Sequence, residues 1–286
     1  MSGPLGVLVG YDGSKGSETA LEWAAREAEV RQLPLTILHI WQVVYPGFVV
    51  LPLTALEDAA DKASAAAAER VRTAHPGLQV DRIVECGSPP YLLVAHGRRA
   101  ELLVLGRNAD HPFGAGILGS VSAQVVGHAT GPTVLVREGQ APPEAGPGDI
   151  VVGVDGSPSS RDALRAAFLE AHLHEMPLTA YCAWPPDAQV SGTPFLTDAD
   201  LHDVCRERFE REVESVYTAY PEVKAAKVFE SGNAAEGLLA AASGAKLLVV
   251  GTRGRGPVRS LLLGSVSRAV VRGARCPVLV VPPPGR

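Results

Sequence analysis

Two stretches decide the reading of this chain: VLVGYDGS at residues 7–14 and IVVGVDGS at residues 150–157. Each is a short Val-rich apolar run that stops at an Asp-Gly turn pair and hands over, through Ser, to a helical pattern. The offset between them is 143 residues, and it also places Pro34 on Pro177 and Trp41 on Trp184. Further along the offset becomes 145, matching Gly87 with Gly232, Gly106 with Gly251, Gly119-Ser120 with Gly264-Ser265, and Pro132 with Pro277. An insertion of two residues therefore falls between Trp184 and Gly232. A period this long is a duplicated domain rather than a solenoid, and 286 residues suffice for two ordinary domains. Domain 1 spans 1–138 and domain 2 spans 149–286, with the Pro- and Gly-rich segment 139–148 as linker.

Within each half, apolar strand-like runs alternate with helical patterns. Strands are expected at 5–11, 35–41, 80–85, 102–105 and 133–136, and again at 150–154, 178–183, 226–229, 247–250 and 278–281. Helices are expected at 17–31, 57–74, 90–98 and 120–128, and again at 160–174, 198–220, 234–243 and 265–272. Continuous apolar strands alternating with helices imply a parallel sheet covered on both faces, so each half is a doubly wound α/β domain.

In such sheets ligands gather at the carboxyl ends of the strands, where strand order reverses. Two features fall there in both halves. One is the acidic residue after the first strand, Asp12 or Asp155, which serves equally as a turn cap. The other follows the fourth strand: GRNADHPFGAGILGSVS at 106–122 and GTRGRGPVRSLLLGSVS at 251–267. Gly251, Gly254 and Gly256 leave the backbone free to approach an anion, and Gly264-Ser265-Val266-Ser267 open a helix whose N–H groups suit phosphate.

With these residues the sequence resembles the universal stress protein family in its tandem two-domain form. The family's G-x2-G-x9-G-[S/T] motif is matched by Gly251, Gly254, Gly264 and Ser265. The resemblance covers essentially the whole chain. It implies two Rossmann-like, adenine nucleotide alpha hydrolase-like domains, each a five-stranded parallel sheet of order 3-2-1-4-5 with helices on both faces. It also implies ATP, with Mg, at the switch point. Carried across, Asp155 meets the ribose or base and Ala183 lines the adenine. Val250, Gly251, Arg253, Gly254, Gly264, Ser265, Val266 and Ser267 surround ribose and phosphates. The first-half counterparts are Asp12, Ile40, Leu105, Gly106, Asn108, Gly119, Ser120, Val121 and Ser122. Here Ala109 replaces the second glycine and Asn108 stands opposite Arg253. If that glycine is left-handed, Ala109 costs ~1–2 kcal/mol, roughly a five- to thirtyfold loss of affinity.

Other chemistries are disfavoured. Lys and Arg number 26 against 31 acidic residues, so no overall field holds a nucleic acid. No GxxxxGK[ST] occurs, and Gly114, Gly116 and Gly119 fit a dinucleotide fingerprint by letter only. His172 with His174, and His202 with Cys205, resemble metal ligands, but no metal site is expected. Trp41 and Trp184 are read as core or interface residues. Four scattered cysteines and no secretory start suit a cytoplasmic location, and no membrane span is expected. The function expected is a nucleotide-responsive regulator with at most slow hydrolysis. The alternatives are an ATPase or nucleotidyl-transferring enzyme, or a nucleotide-free interaction module. The last strands, apolar and otherwise exposed at a sheet edge, are expected to pair as an internal pseudo-dimer, with a homodimer also compatible.

Overall fold

The computed structural model describes residues 5–43, 53–107, 119–144, 146–184, 198–252, 254 and 263–283. The chain forms two compact units, Met1–Pro142 and Pro143–Arg286.

Unit 1 runs β1 (Val7–Tyr11), α1 (Lys15–Arg31), β2 (Leu35–Trp41), α2 (Leu53–Ala74), β3 (Val80–Cys86), α3 (Pro89–Gly97), β4 (Leu102–Arg107), α4 (Ser120–His128) and β5 (Thr133–Arg137). Its strands pair in parallel in the order β3-β2-β1-β4-β5, with Val7 opposite both Leu35 and Leu102. Unit 2 repeats this plan with β6 (Ile150–Gly153), α5 (Pro158–Leu173), β7 (Leu178–Trp184), α6 (Asp198–Tyr217), β8 (Ala225–Ser231), α7 (Ala234–Ala241), β9 (Leu247–Gly251), α8 (Ser265–Gly273) and β10 (Val278–Val281). Its order is β8-β7-β6-β9-β10, again parallel, with Ile150 opposite Leu178 and Leu247.

Each half is thus an α/β domain of order 3-2-1-4-5. The central strands are uniformly apolar because both their faces are covered: Val7, Leu8 and Val9, like Ile150, Val151 and Val152, are fully buried. The chain winds outward through the second and third strands, then crosses back to the other side of the first. That reversal opens a crevice at the carboxyl ends of β1 and β4, and of β6 and β9.

The helices α4, α6, α7 and α8 start where expected, whereas α1 and α5 start two residues earlier, for a specific reason. The cap of α1 is Ser14: Ser14 Oγ accepts the Ser17 N–H at 3.3 Å, and Ser17 Oγ donates to the Ser14 carbonyl at 2.9 Å. Ser157 and Ser160 repeat this at 3.2 and 3.0 Å, so α5 also starts earlier. Both helices end through a non-glycine residue in the left-handed region, Gln32 (φ 54°) and Glu175 (φ 52°), again 143 apart. Replacing Glu175 by Gly is expected to stabilise unit 2 by about 1 kcal/mol, read by urea denaturation. A loss of stability contradicts this.

Candidate functional site

The Asp-Gly-Ser turns build the first wall of each crevice. Asp12 Oδ1 accepts the Ser14 N–H at 3.0 Å and Asp155 Oδ1 accepts the Ser157 N–H at 2.9 Å. Between them Gly13 (φ 79°) and Gly156 (φ 73°) occupy the left-handed region, which is why glycine follows Asp in both copies. One carboxylate oxygen thus locks the turn that delivers the chain into α1 or α5.

Partial burial pulls the Asp12 carboxyl upward, but hydrogen bonds from Ser14 and Ser17 outweigh it and leave its pKa below the ordinary aspartate value. Its ionised form is therefore favoured by folding. That contribution is present above the unfolded-state pKa and is lost as pH falls through the lowered folded-state value. NMR titration of Asp12 is expected to give a midpoint below the ordinary value; one above it contradicts the turn geometry.

The second wall follows the fourth strand. The glycine ending β9, Gly251, is fully packed: a Cβ there would lie 2.5 Å from Ser159 Oγ and 2.7 Å from the Ser159 carbonyl oxygen. Gly106 meets the Gly16 and Ser17 backbone in the same way. This first motif glycine lets the strand touch the helix after strand one, rather than baring backbone to a ligand. Gly254 is different. It is exposed, its φ is not left-handed, and a Cβ on it would lie 2.5 Å from Asp155 Oδ2. The left-handed premise attached to this position does not hold. What the position requires is room for the Asp155 carboxylate, whose Oδ1 is already tied to Ser157.

The helix after the loop begins at an uncapped terminus. Gly264 is the cap residue of α8, contributes no side-chain bond to it, and is anchored by its own N–H to the Thr252 carbonyl at 2.9 Å. By contrast Ser157 caps α5, and Asn233 Oδ1 accepts the N–H groups of Ala235 and Glu236 at the start of α7. Among the described residues, no side chain occupies the first-turn N–H groups of α8, an arrangement that suits an anion. Of the two serines there, Ser265 is exposed, whereas Ser267 is buried and donates to the Gly251 carbonyl at 2.6 Å. Ser122 does likewise toward Gly106 at 3.2 Å.

In unit 2 these walls enclose a cleft of about 880 Å³. Asp155, Ala183, Ser265 and Val266 line it together. Val250, Gly251 and Ser267 lie buried behind it, Gly254 abuts Asp155, and Gly264 caps α8. In unit 1, Asp12 and Ser120 are exposed, Ile40, Gly106, Gly119 and Val121 are half-buried, and Leu105 and Ser122 are buried. Gly119 caps α4 without a side-chain bond. Asn108, Ala109, Arg253 and Gly256 lie outside the described residues.

Sequence reasoning missed the far wall. Cys205, Arg208, Phe209 and Glu212 of α6 line the same cleft, with Cys182, Trp184 and Phe229 beside them. The signal was present: 205, 208, 209 and 212 are spaced i, i+3, i+4, i+7, one face of a helix. Trp184, read as a core or interface residue, is half-buried in this cleft, edge-on to His202 at 5.9 Å.

A parallel sheet of order 3-2-1-4-5, with an acidic turn after strand one and a helix N-terminus after strand four, defines a Rossmann-like α/β protein with a crevice at the switch point. The universal stress protein family profile matches residues 6–137 and 148–282, and the chain belongs to that family, in two repeats. Two universal stress proteins of Mycobacterium tuberculosis are each 32% identical to it. One aligns over 303 residues, covering 96% of this chain and 94% of the relative; the other over 284 residues, covering 96% of each. Among solved structures, a universal stress protein from Archaeoglobus fulgidus shares the fold with a TM-score of 0.74 at 19% identity, covering 98% of both chains. Among the described residues, no helix is long and apolar enough to cross a membrane.

Proposed function

We propose that unit 2 binds ATP in the cleft at the switch point, where the carboxyl ends of β6 and β7 meet the start of α8 beyond β9, and that the protein is a cytoplasmic, nucleotide-responsive regulator. The observation that carries this is the convergence, in one cleft, of the uncapped start of α8 with Ser265 and Val266, the Asp155 carboxylate and the small side chain of Ala183. The donor set fits the nucleotide. Backbone N–H groups and the Ser265 hydroxyl suit phosphate oxygens, Asp155 Oδ2 suits a ribose hydroxyl as acceptor, and Ala183 leaves space for a flat base. Mg would enter on the phosphate oxygens, since it keeps most of its shell as water and substrate oxygens.

Fast hydrolysis needs a base or water-orienting group free to act. The carboxylates lining the cleft are engaged: Asp155 Oδ1 with the Ser157 N–H, and Glu212 with Arg161 at 3.1 Å. Turnover is accordingly expected below the kinase range of ~1–100 per second, and a steady-state phosphate-release assay inside that range makes the protein an enzyme instead. The pairing of last strands expected from the sequence belongs to this proposal, and paired spin labels on the two strands test it.

The deciding experiment for the nucleotide is mass spectrometry of small molecules released by denaturing the purified protein, followed by calorimetry with ATP and Mg. Asp155→Asn keeps an acceptor for the Ser157 N–H and removes the charge, so it weakens ATP while leaving the turn intact. No released nucleotide together with no heat on ATP titration favours the interaction-module reading.

A further inference from the structure

The cleft of unit 2 has two lobes on opposite faces of the sheet, and the nucleotide reading uses only one. Side chains alternate along a strand. On β7, Tyr181 faces α7, as its hydroxyl lies where a Cβ on Gly237 would sit; Ala183, two residues on, shares that face with the helices α7 and α8. Cys182 and Trp184 point the other way. Trp184 meets His202 of α6 at 5.9 Å, and Cys182 is in register with Phe229 of β8, which meets His202 at 5.1 Å and Phe209 at 6.0 Å. The α6 lobe is thus walled by Cys182, Trp184, Phe229, Cys205 and Phe209, an apolar and aromatic surface. It lies past β7 from α8, whose strand β9 is separated from β8 by three strand spacings, roughly 14 Å.

Among the described residues, Arg208 is the one Lys or Arg that lines this lobe. Arg208 is exposed, and among the described residues it has no carboxylate within ion-pair distance. Its natural partner one helical turn on, Glu212, is drawn instead to Arg161 of α5 at 3.1 Å. Unit 1 serves as an internal comparison. There the same two helices are joined with charges exchanged, Glu18 of α1 to Arg70 of α2 at 2.8 Å. Aligning Arg70 with Glu212 sets Ala63, Ala66 and Ala67 opposite Cys205, Arg208 and Phe209. The scaffold pair is kept in mirrored charge and Trp184 has its counterpart in Trp41, while Cys205, Arg208 and Phe209 of α6 stand in one copy only.

We propose that this α6 lobe is a second binding site, for a small aromatic carboxylate whose ring packs among Trp184, Phe229 and Phe209 and whose carboxylate meets Arg208. An apolar pocket with one placed charge is the usual form of a small-molecule site, and the guanidinium presents its paired donors to a carboxylate. Occupation here leaves the α8 side of the cleft open, so the ligand and ATP bind together.

The test uses 2-naphthoate and its neutral isostere 2-naphthamide as probes, with calorimetry on the full-length chain. Naphthoate is expected to bind at one site per chain, about tenfold more tightly than naphthamide. Arg208→Gln is expected to remove that preference while the circular dichroism spectrum is unchanged. Saturating ATP is expected to leave naphthoate binding in place. Equal affinity for the two probes, no binding of naphthoate, or an unaltered Arg208→Gln variant each overturns the proposal. Displacement of naphthoate by ATP also overturns it, by assigning Arg208 to the nucleotide. Naphthoate binding without any ATP binding would sustain this lobe and defeat the nucleotide reading alone, so the two fail separately.

Discussion

ATP titrated into the full-length protein is expected to fill unit 2 at concentrations about tenfold lower than unit 1. The two crevices share their scaffold: an Asx turn at Asp12 or Asp155, a left-handed glycine after it, and an uncapped helix behind Gly119 or Gly264. They differ in the loop after strand four. Unit 2 offers Arg253 where unit 1 has Asn108, and a charge-assisted bond to phosphate is about twice as strong as a neutral one. Unit 2 also has Gly254 where unit 1 has Ala109, and the room at Gly254 is what admits the Asp155 carboxylate. Both differences act in the same direction. Calorimetry on Asp155→Asn and Asp12→Asn, each disabling one site, gives the two affinities, and a first site equal to or tighter than the second refutes the loop argument.

The scaffold was legible because it rests on local and periodic signals. The 143-residue offset, the Val-rich strands and the Asp-Gly-Ser turns each constrain backbone geometry directly, so pattern and fold agree. The starts of α1 and α5 slipped by two residues because two serines three apart both resemble caps, and only the bonds from Ser17 to Ser14 and from Ser160 to Ser157 choose between them. The site was legible in part. Asp155, Ala183, Ser265 and Val266 meet in the cleft, since strand ends and a helix start fix their places. The roles of the glycines were not legible. Gly251 and Gly254 look alike in a motif, yet one is pressed against the Ser159 backbone and the other against a carboxylate. The α6 wall was missed for a different reason. Its residues belong to the long connection between β7 and β8, away from the strand-end loops that carry the glycine and Asp-Gly-Ser motifs.

That difference between the glycines gives the second large effect: the same substitution at two positions of one motif should fail in two different ways. In Gly251→Ala the new methyl group falls 2.5 Å from Ser159 Oγ and 2.7 and 2.8 Å from the carbonyl oxygen and carbon. Backbone cannot rotate away, and this backbone is the first turn of α5, held to β10 by the Ser159 hydroxyl on the Val281 carbonyl at 3.3 Å. Relief requires β9 and α5 to separate in a core whose neighbours Leu248, Val249 and Val280 are fully buried. Overpacking of this kind costs about 2–3 kcal/mol, a fall of roughly 5 °C or more in Tm for a domain of this size. Among the described residues, Gly254→Ala meets only the far end of the Asp155 side chain. Its residue is exposed and not left-handed, so stability should stay within about 0.5 kcal/mol of the parent. The carboxylate, however, must turn, and with Oδ1 bound to the Ser157 N–H it can do so only by giving up the Asx turn or the direction of Oδ2. ATP affinity at unit 2 should therefore fall about tenfold, toward that of unit 1, whose Ala109 stands at the corresponding position. Thermal denaturation and calorimetry on the two variants separate the effects: a Gly254→Ala protein that melts early with ATP affinity intact, or a Gly251→Ala protein as stable as the parent, reverses the roles assigned to the two glycines.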